Sequence, residues 1–513
     1  MKPSDTTPPQ RVLPAQLAWP LFSVAASRVI EAQELAARPG GQLMRHAGAS
    51  VARLALALAP HARRIWIAAG PGGNGGDGLH AAADLRHCGR DVVVTLLAQR
   101  DLLNADTQAG LRRAEQAGVT ILRQRPEGPF DLVIDALLGI GAQRAPEGAM
   151  ASIIEALNGT GAPCLSVDLP SGLNADTGTP FGDAVVCASA TLSLLTLKPG
   201  LFTAAGRDHS GQVWVDTLGA PPGTGAAPTA RLTSPADPRA AMRPRRHAQH
   251  KGSFGDVIVV GGAPGMHGAA HLAAHGALGA GAGRTIVSLL DIDAKGGDGG
   301  RPEWLWQRGA WLPGVAELER TTVVSGCGGG TQVAAALPAL LARSARLVLD
   351  ADALNAIAAD STLQQLLQAR ARRGLPTIMT PHPLEAARLL ARSTADVQAG
   401  RIEAAQFLAD RFGATVLLKG SGTVIAAPAV VPAINSTGHA GLASGGTGDV
   451  LAGWIGGLWA QADGRARTNE AESAFNVAAA SAWLHGQAAG PPGSAPVRAR
   501  DLVDAMRAAA AIV

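Results

Sequence analysis

Ile65-Trp66-Ile67-Ala68-Ala69-Gly70-Pro71-Gly72-Gly73-Asn74-Gly75-Gly76-Asp77-Gly78 is an unbroken apolar run that ends in a chain of glycines. A strand apolar at every position is buried on both faces, as in a mostly parallel sheet. Glycine after such a strand permits positive φ and close approach of backbone to a ligand. Strand, glycine-rich loop and helix together suit a pyrophosphate. The loop is not the GxGxxG fingerprint, because Asn74 and Asp77 interrupt it, so a plain dinucleotide site fits poorly.

Reading outward, the same grammar repeats. Residues 14 to 60 read as helical, broken near Pro39-Gly40-Gly41. Strands are expected at Ile65–Ala69, Val92–Leu97, Leu132–Ala136, Cys164–Val167, Leu192–Leu197 and Val213–Leu218, with helical stretches between them. Residues 221–238, rich in Gly, Pro, Ala and Thr, read as a linker. A second series follows at Val257–Val260, Thr285–Leu290, Thr322–Ser325, Leu347–Leu349, Thr377–Met379, Val416–Leu418 and Thr423–Ala426. Helices are expected at Gly268–Gly281 and Leu384–Ala391, and a loop at Gly296–Gly300. Two α/β domains, 1–220 and 239–513, are the simplest account.

Composition narrows the function. At 47% apolar and 16% charged residues, the chain suits packed globular domains. Lys occurs only at 2, 198, 251, 295 and 419, so a Lys inside a motif stands out against 39 Arg. A net charge of +4 is too diffuse to argue for nucleic acid. The basic run Arg243-Pro244-Arg245-Arg246 reads as a solvated face. Cys88, Cys164, Cys187 and Cys327 lack paired metal spacing and read as reduced thiols. No stretch is long and apolar enough for a membrane span, and the polar start MKPSDTTPPQ lacks a secretory h-region. A cytoplasmic protein is expected.

The C-terminal half carries four chemical segments. Gly445-Gly446-Thr447-Gly448-Asp449-Val450-Leu451-Ala452-Gly453 runs a small-residue loop into a helix, with a carboxylate at the junction. It places N–H groups around an anion and Asp449 where it could take a proton. Leu418-Lys419-Gly420-Ser421-Gly422-Thr423 ends a strand in a tight turn that can present N–H groups, a hydroxyl and a point charge to phosphate. Thr380-Pro381-His382-Pro383-Leu384-Glu385 fixes His382 between prolines. Leu349-Asp350-Ala351-Asp352-Ala353-Leu354-Asn355 ends a strand in two carboxylates. Three of them also have a plainer reading: a packing turn for the Gly-rich loop, a cap at Asp352, a turn at His382. In the N-terminal half, Asp135 and Asp168 end strands, Asp135 before Leu138-Gly139-Ile140-Gly141 and Asp168 before Leu169-Pro170-Ser171-Gly172. An Asn oxygen, from Asn74, a carboxylate and backbone carbonyls form an all-oxygen environment suited to a hard cation, not to zinc.

The order Lys251 to Gly255, Val259 to Ala263, DADALN, TPHPLE, LKGSGT and GGTGDVLAG resembles the ADP-dependent NAD(P)H-hydrate dehydratase family across about residues 240 to 513. Cys327 stands where that family's GPGLG turn has Pro, Leu384 where it has Gly, and His439 where Asn is common. The loop at 70–78, Leu43 to Gly48, the Asp168 segment and Leu197-Lys198-Pro199-Gly200-Leu201 resemble the NAD(P)H-hydrate epimerase family across about residues 15 to 220. Gly73 replaces the first Asn of that family's GNNGGDG.

The resemblance implies an N-terminal Rossmann-like three-layer sandwich and a C-terminal ribokinase-like domain. It implies that Asp449 deprotonates the hydrate, that Lys419, Gly420, Ser421, Gly422, Thr423, Gly446, Thr447 and Gly448 hold ADP, and that Ala269, Gly328, His382 and Asp449 lie near the hydrate, with Mg²⁺ on the diphosphate. It implies K⁺ on Asn74, Asp135 and Ser171. Hydrate contacts are expected from Gly73, Asn74, Gly75, Gly76 and Asp77, and from Gly139, Ile140, Gly141, Ala142, Gln143, Arg144 and Ala145. Asp168 is the expected proton-transfer residue, assisted by Lys198. The partners expected are NADH hydrate, NADPH hydrate and ADP, in a homo-oligomer. The rival is a small-molecule kinase fused to a non-catalytic epimerase-like binding domain.

Overall fold

The computed structural model describes residues 8–221, 225–294, 303–462, 470–491 and 493–513. The loop expected at Gly296–Gly300 lies outside them. The chain divides into two compact units, Met1–Ala230 and Arg231–Val513.

In the first unit the parallel strands lie in the order Gln212–Asp216, Ala190–Leu194, Cys164–Val167, Leu132–Ala136, Arg64–Ala69, Asp91–Leu96 and Thr120–Leu122. The short strand Gln10–Arg11 adds antiparallel at the Gln212–Asp216 edge. Side-chain alternation decides the layers. Ile65 and Ile67 pack with Leu43, Val51, Leu79 and Leu85 on one face, while Trp66 and Ala68 pack with Ile153, Ile154 and Leu157 on the other. Helices on both faces make this a three-layer α/β sandwich. From Arg64–Ala69 the chain winds outward one way, then returns to Leu132–Ala136 beside its start and winds the other way. That reversal is a topological switch point, and the crevice beyond it is where such sheets bind ligands.

In the second unit the order is Leu305–Trp306, Arg284–Leu289, Asp256–Gly261, Thr322–Ser325, Arg346–Leu349, Thr377–Met379, Thr415–Leu418, Val424–Ala427, Val430–Ile434 and Ala230–Leu232. Thr415–Leu418, Val424–Ala427 and Val430–Ile434 form an antiparallel meander; the other pairings are parallel. Ile258, Val323, Leu347 and Val416 face a core with helices Val333–Arg343, Ala351–Ala359 and Arg401–Phe412. Val257, Val324, Val348 and Leu417 face helices His267–Gly279, Thr447–Ala460 and Glu470–Gln487.

Helices His267–Gly279 and Thr447–Ala460 touch backbone to backbone. A Cβ on Gly453 would lie 1.8 Å from the carbonyl oxygen of Ala273. Only glycine fits there, so this contact fixes the height of the helix that carries Asp449. Gly453→Ala is expected to destabilise the second unit by about 1–3 kcal/mol, read as a lower Tm by differential scanning calorimetry.

Several expectations shift. The strand expected at Leu192–Leu197 stops at Leu194 because Leu195 takes φ 65°. The strand expected at Val213–Leu218 stops at Asp216, and Leu218 takes φ 53°. Residues 14 to 23 are not helical; the helices are Val24–Ala37 and Gln42–Leu58. Part of the expected linker, 221–238, carries regular structure instead. Arg231 and Leu232 pair with Ala433 and Ile434, and Ala236–Ala241 is a helix. Composition hid a strand of only three residues, Ala230–Leu232. Arg245 of the basic run is exposed as expected, but its guanidinium also stacks over Phe254 at 3.8 Å.

Candidate active sites

The carboxyl ends of the second sheet bring four segments together. Gly446 takes φ 89° and starts the helix Thr447–Ala460, with Asp449 in its first turn. Thr447 Oγ1 donates to the carbonyls of Leu442 and Ser444 at 2.9 and 3.0 Å. His485, from Glu470–Gln487, donates through Nε2 to the Thr447 carbonyl at 3.0 Å. Burial pushes the His485 imidazole down to about 4, so it stays neutral near pH 7 and its second nitrogen carries no charge toward the loop.

Lys419 reaches toward the same loop. Its Nζ lies 3.5 Å from where a Cβ of Gly448 would be. It donates to Asp350 Oδ1 at 2.7 Å, and Thr380 Oγ1 donates to that oxygen at 2.7 Å. Burial works against the Lys419 charge, but the Asp350 and Glu385 carboxylates outweigh it and hold the ammonium above its ordinary value. Burial chiefly, and then Asp350, pushes the Asp449 carboxyl up to about 7. A base poised near neutrality suits proton abstraction.

The turn after Lys419 is braced from beneath. Gly420 takes φ 126°, and a Cβ there would meet Arg401 Nη1 at 3.0 Å. The buried Arg401 donates to the carbonyls of Leu418 and Lys419 at 3.2 and 3.1 Å. Thr423 Oγ1 closes the turn onto the Gly420 carbonyl at 3.1 Å, and Ser421 is exposed on it. Ala269 and Gly328 meet: a Cβ on Gly328 would lie 2.9 Å from that of Ala269. His382 caps helix Pro383–Leu390, with Nδ1 accepting from the Leu384 and Glu385 amides at 3.1 and 3.3 Å. Glu385 Oε2 accepts the His382 amide at 2.8 Å, completing a capping box. Burial and Lys419 lower the His382 imidazole. The plainer reading of His382 as a turn residue is thus part of its role, alongside its place near Lys419.

In the first unit, Asp168 follows strand Cys164–Val167 with φ 69°, rare for a residue with a Cβ. Lys198 is buried and donates to Asp168 Oδ1, and to the carbonyls of Leu194 and Thr196 at 2.8 and 2.9 Å. The lysine therefore fixes the aspartate and has no freedom of its own. From a Cβ position on Gly139, Asp168 Oδ2 is 3.4 Å and the Asn74 side chain 3.5 Å away, so these three converge at the switch point. The loop 70–78 is half helix: Gly73–His87 begins at Gly73, with Asn74, Gly75, Gly76 and Asp77 in its first turns. Asp77 is pushed well above the usual carboxylate range by burial, then by Asp168 and Glu31. Glu31 is raised by burial and by Asp168. A Cβ on Gly73 would meet only Met44 Cε, at 4.0 Å, so the glycine is not demanded by packing. Residues 139–145 form the facing loop, with the Ala142 amide on the Gly139 carbonyl at 3.2 Å; Ile140, Gly141, Gln143 and Arg144 are partly or fully exposed there.

Two of the expected potassium ligands, Asp135 and Ser171, are hydrogen-bonded to each other. Asp135 is fully buried and accepts from Ser171 Oγ at 2.6 Å, the Ser171 amide at 2.9 Å and Ser166 Oγ at 2.9 Å. Ser171 Oγ also accepts from the Leu138 amide at 2.9 Å. The Asn74 amide is buried with neither its oxygen nor its nitrogen hydrogen-bonded. An orphaned, buried amide oxygen has a lone pair to offer a hard monovalent cation. The second unit differs. Its one cluster of metal-ligand type among the described residues is Cys327, Asp350 and Asp449. A thiol there does not suit magnesium, so the trio does not fit a resident Mg²⁺.

Residues 40–200 match the model for the YjeF-related protein N-terminus, and residues 257–502 match that for NAD(P)H-hydrate dehydratase. The bifunctional NAD(P)H-hydrate repair enzyme Nnr of Escherichia coli K12 is 36% identical over 456 residues, covering 87% of this chain and 84% of that protein. The chain belongs to the bifunctional NAD(P)H-hydrate repair enzymes. Members from Thermofilum pendens and Moorella thermoacetica are 35% and 34% identical, covering 81% and 86% of this chain and 82% and 86% of theirs. Among solved structures, ADP/ATP-dependent NAD(P)H-hydrate dehydratase from Bacillus subtilis, co-crystallized with ATP and Mg²⁺, is 27% identical with TM-score 0.42, covering 53% of this chain and 94% of that one.

Sequence reading of this repair enzyme missed three residues that act on its sites. Arg401 and His485 lie on helices apart from the motifs they brace, and Glu31 acts on Asp77 through charge. Asp350 was visible as one of two carboxylates, but its choice over Asp352 as the Lys419 partner was not.

Proposed function

We propose that the second unit dehydrates the S epimer of NAD(P)H hydrate at the expense of ADP, and that the first unit interconverts the R and S epimers. The observation that carries the dehydratase reading is Asp449 at the head of the Thr447–Ala460 helix, with its carboxyl near 7 and Lys419 beside the same loop. Asp449 takes the proton of the hydrate hydroxyl, and the freed oxygen attacks the terminal phosphorus of ADP. The bond to the bridging oxygen breaks and AMP leaves. The hydrate oxygen then departs as phosphate, a ring proton is lost, and the dihydronicotinamide double bond returns.

The backbone of Gly446, Thr447 and Gly448 faces the charge that develops in transfer. Lys419, Gly420, Ser421, Gly422 and Thr423 hold the diphosphate. Ala269, Gly328 and His382 bound the hydrate. Mg²⁺ would accompany the nucleotide and would offset its charge; no protein residue is assigned to it. In the first unit Asp168 moves the proton, oriented by Lys198. Residues 73–77 and 139–145 enclose the hydrate. Asn74, Asp135 and Ser171 would hold K⁺, which would supply a fixed positive charge beside the crevice. Among the described residues no helix is long and apolar enough to cross a membrane.

The test is an assay on mixed R and S hydrate with ADP or ATP. Repair yields one AMP and one phosphate per NADH recovered with ADP, and consumes both epimers. A kinase would instead accumulate a stable phosphate ester with no rise in dihydronicotinamide absorbance, and that result would sink the reading.

A further inference from the structure

We propose that the thiol of Cys327 is a positioning residue for the Asp449 carboxylate, donating to it when the base is charged. This rests on the reading of Asp449 as the dehydratase base. Cys327 is fully buried in the turn that follows strand Thr322–Ser325. Its Sγ, an oxygen of Asp350 and an oxygen of Asp449 all lie within 4.8 Å of one another. Sγ is 3.9 Å from Asp350 Oδ2, within reach of a sulfur hydrogen bond. The turn cannot drift, because the Cys327 carbonyl accepts the Gly262 amide at 3.0 Å and Gly326 and Gly328 hold φ 115° and 58°.

A thiol has one weak donor proton, and here two carboxylates compete for it. Asp350 has already committed its other oxygen, Oδ1, to Lys419 and Thr380. For the Asp449 carboxylate, the side-chain hydrogen-bond donor within reach is the Cys327 thiol. When Asp449 is ionised, the S–H turns to it. When Asp449 is protonated, the S–H returns to Asp350. The thiol therefore stabilises the charged base selectively. Its own ionisation does not intervene, since burial and then the Asp449 and Asp350 charges push the Cys327 thiol well up. The groups facing Asp449 are Cys327, Asp350, Asp352 and Lys419. Glu385 and His382 act on it through Lys419, and neutral His485 stands behind it at the Thr447 carbonyl. The thiol is this chain's own, standing where the resembled turn has proline, which offers no donor.

The experiment is the pH profile of kcat for S-hydrate dehydration at saturating ADP in the full chain, for wild type, Cys327→Ala and Cys327→Ser. Loss of a donor to a charged group moves the acid limb of the alanine variant up by about one pH unit. Its rate falls about tenfold at the acid end, with a plateau near that of wild type. Serine, a stronger donor, keeps the limb at or below the wild-type position. Three coincident limbs, or a loss of equal factor at every pH, overturn the inference. Should the alanine variant misfold, the S–H infrared stretch provides the readout. Assigned by difference against Cys327→Ser, it shifts across the Asp449 titration in wild type and stays fixed in Asp449→Asn; an S–H band that never moves in wild type also overturns it. An active Asp449→Asn would instead remove the underlying reading, whatever the cysteine variants do.

Discussion

Asp449→Asn loses NADH recovery from both hydrate epimers, with kcat down about 10²–10⁴-fold, the range for removing a positioned general base. Asparagine keeps the size and the helix-start position but cannot take the hydroxyl proton. ADP affinity should change little, because the turn from Lys419 to Thr423 and the loop amides are untouched. The same substitution should raise the Tm of the protein at pH 8. The sign follows from the carboxyl, whose folded value of about 7 lies above the unfolded 3.8. Between those values the folded state binds the extra proton, so stability falls as pH rises through the window and is lowest above it. Asparagine removes that cost. A variant dead in turnover yet more heat-stable at pH 8 separates loss of the base from loss of the fold. Wild-type turnover in Asp449→Asn rules out the mechanism.

Asp168→Asn should leave S-hydrate recovery intact and slow R-hydrate recovery to its spontaneous rate, again a loss of about 10²–10⁴-fold in the epimerase step. The two epimers can be followed separately by chromatography while NADH appearance is recorded. The structure sharpens this expectation. Asp168 holds a backbone conformation that residues with a Cβ seldom adopt, and one carboxylate oxygen is tied to Lys198. Strain of this kind persists where surrounding contacts enforce it, and it clusters at functional sites. Unchanged R consumption in Asp168→Asn would remove Asp168 from the reaction.

Much of both sites was legible because chemistry in α/β sheets gathers at strand ends, and strand ends are marked in sequence. Asp135, Asp168, Asp350, His382 and Lys419 each follow an apolar run, and the crevice rule does the rest. The family was legible because several such segments occur in one order. Two things were not. Short strands such as Thr120–Leu122 and Ala230–Leu232 carry too few residues to show alternation, and Val430–Ile434 contains a proline. The braces were hidden for a different reason. Nothing local in helix Arg401–Phe412 or Glu470–Gln487 says that Arg401 will lie under the Lys419 turn or that His485 will hold the Thr447 carbonyl. Those contacts exist only once the sheet has ordered its strands.

Arg401 has one more consequence. Its hydrogen-bond partners are Gln398 and the backbone carbonyls of the turn, all uncharged, and burial lowers its guanidinium only to about 10. It therefore stays a cation at neutral pH, sealed under the turn proposed to hold the nucleotide. Mobile ions screen exposed charges over a Debye length of about 10 Å at 0.1 M salt, but they screen buried ones much less. The attraction that Arg401 exerts on a diphosphate should thus persist as ionic strength rises, giving this turn a salt-tolerant share of its hold on nucleotide.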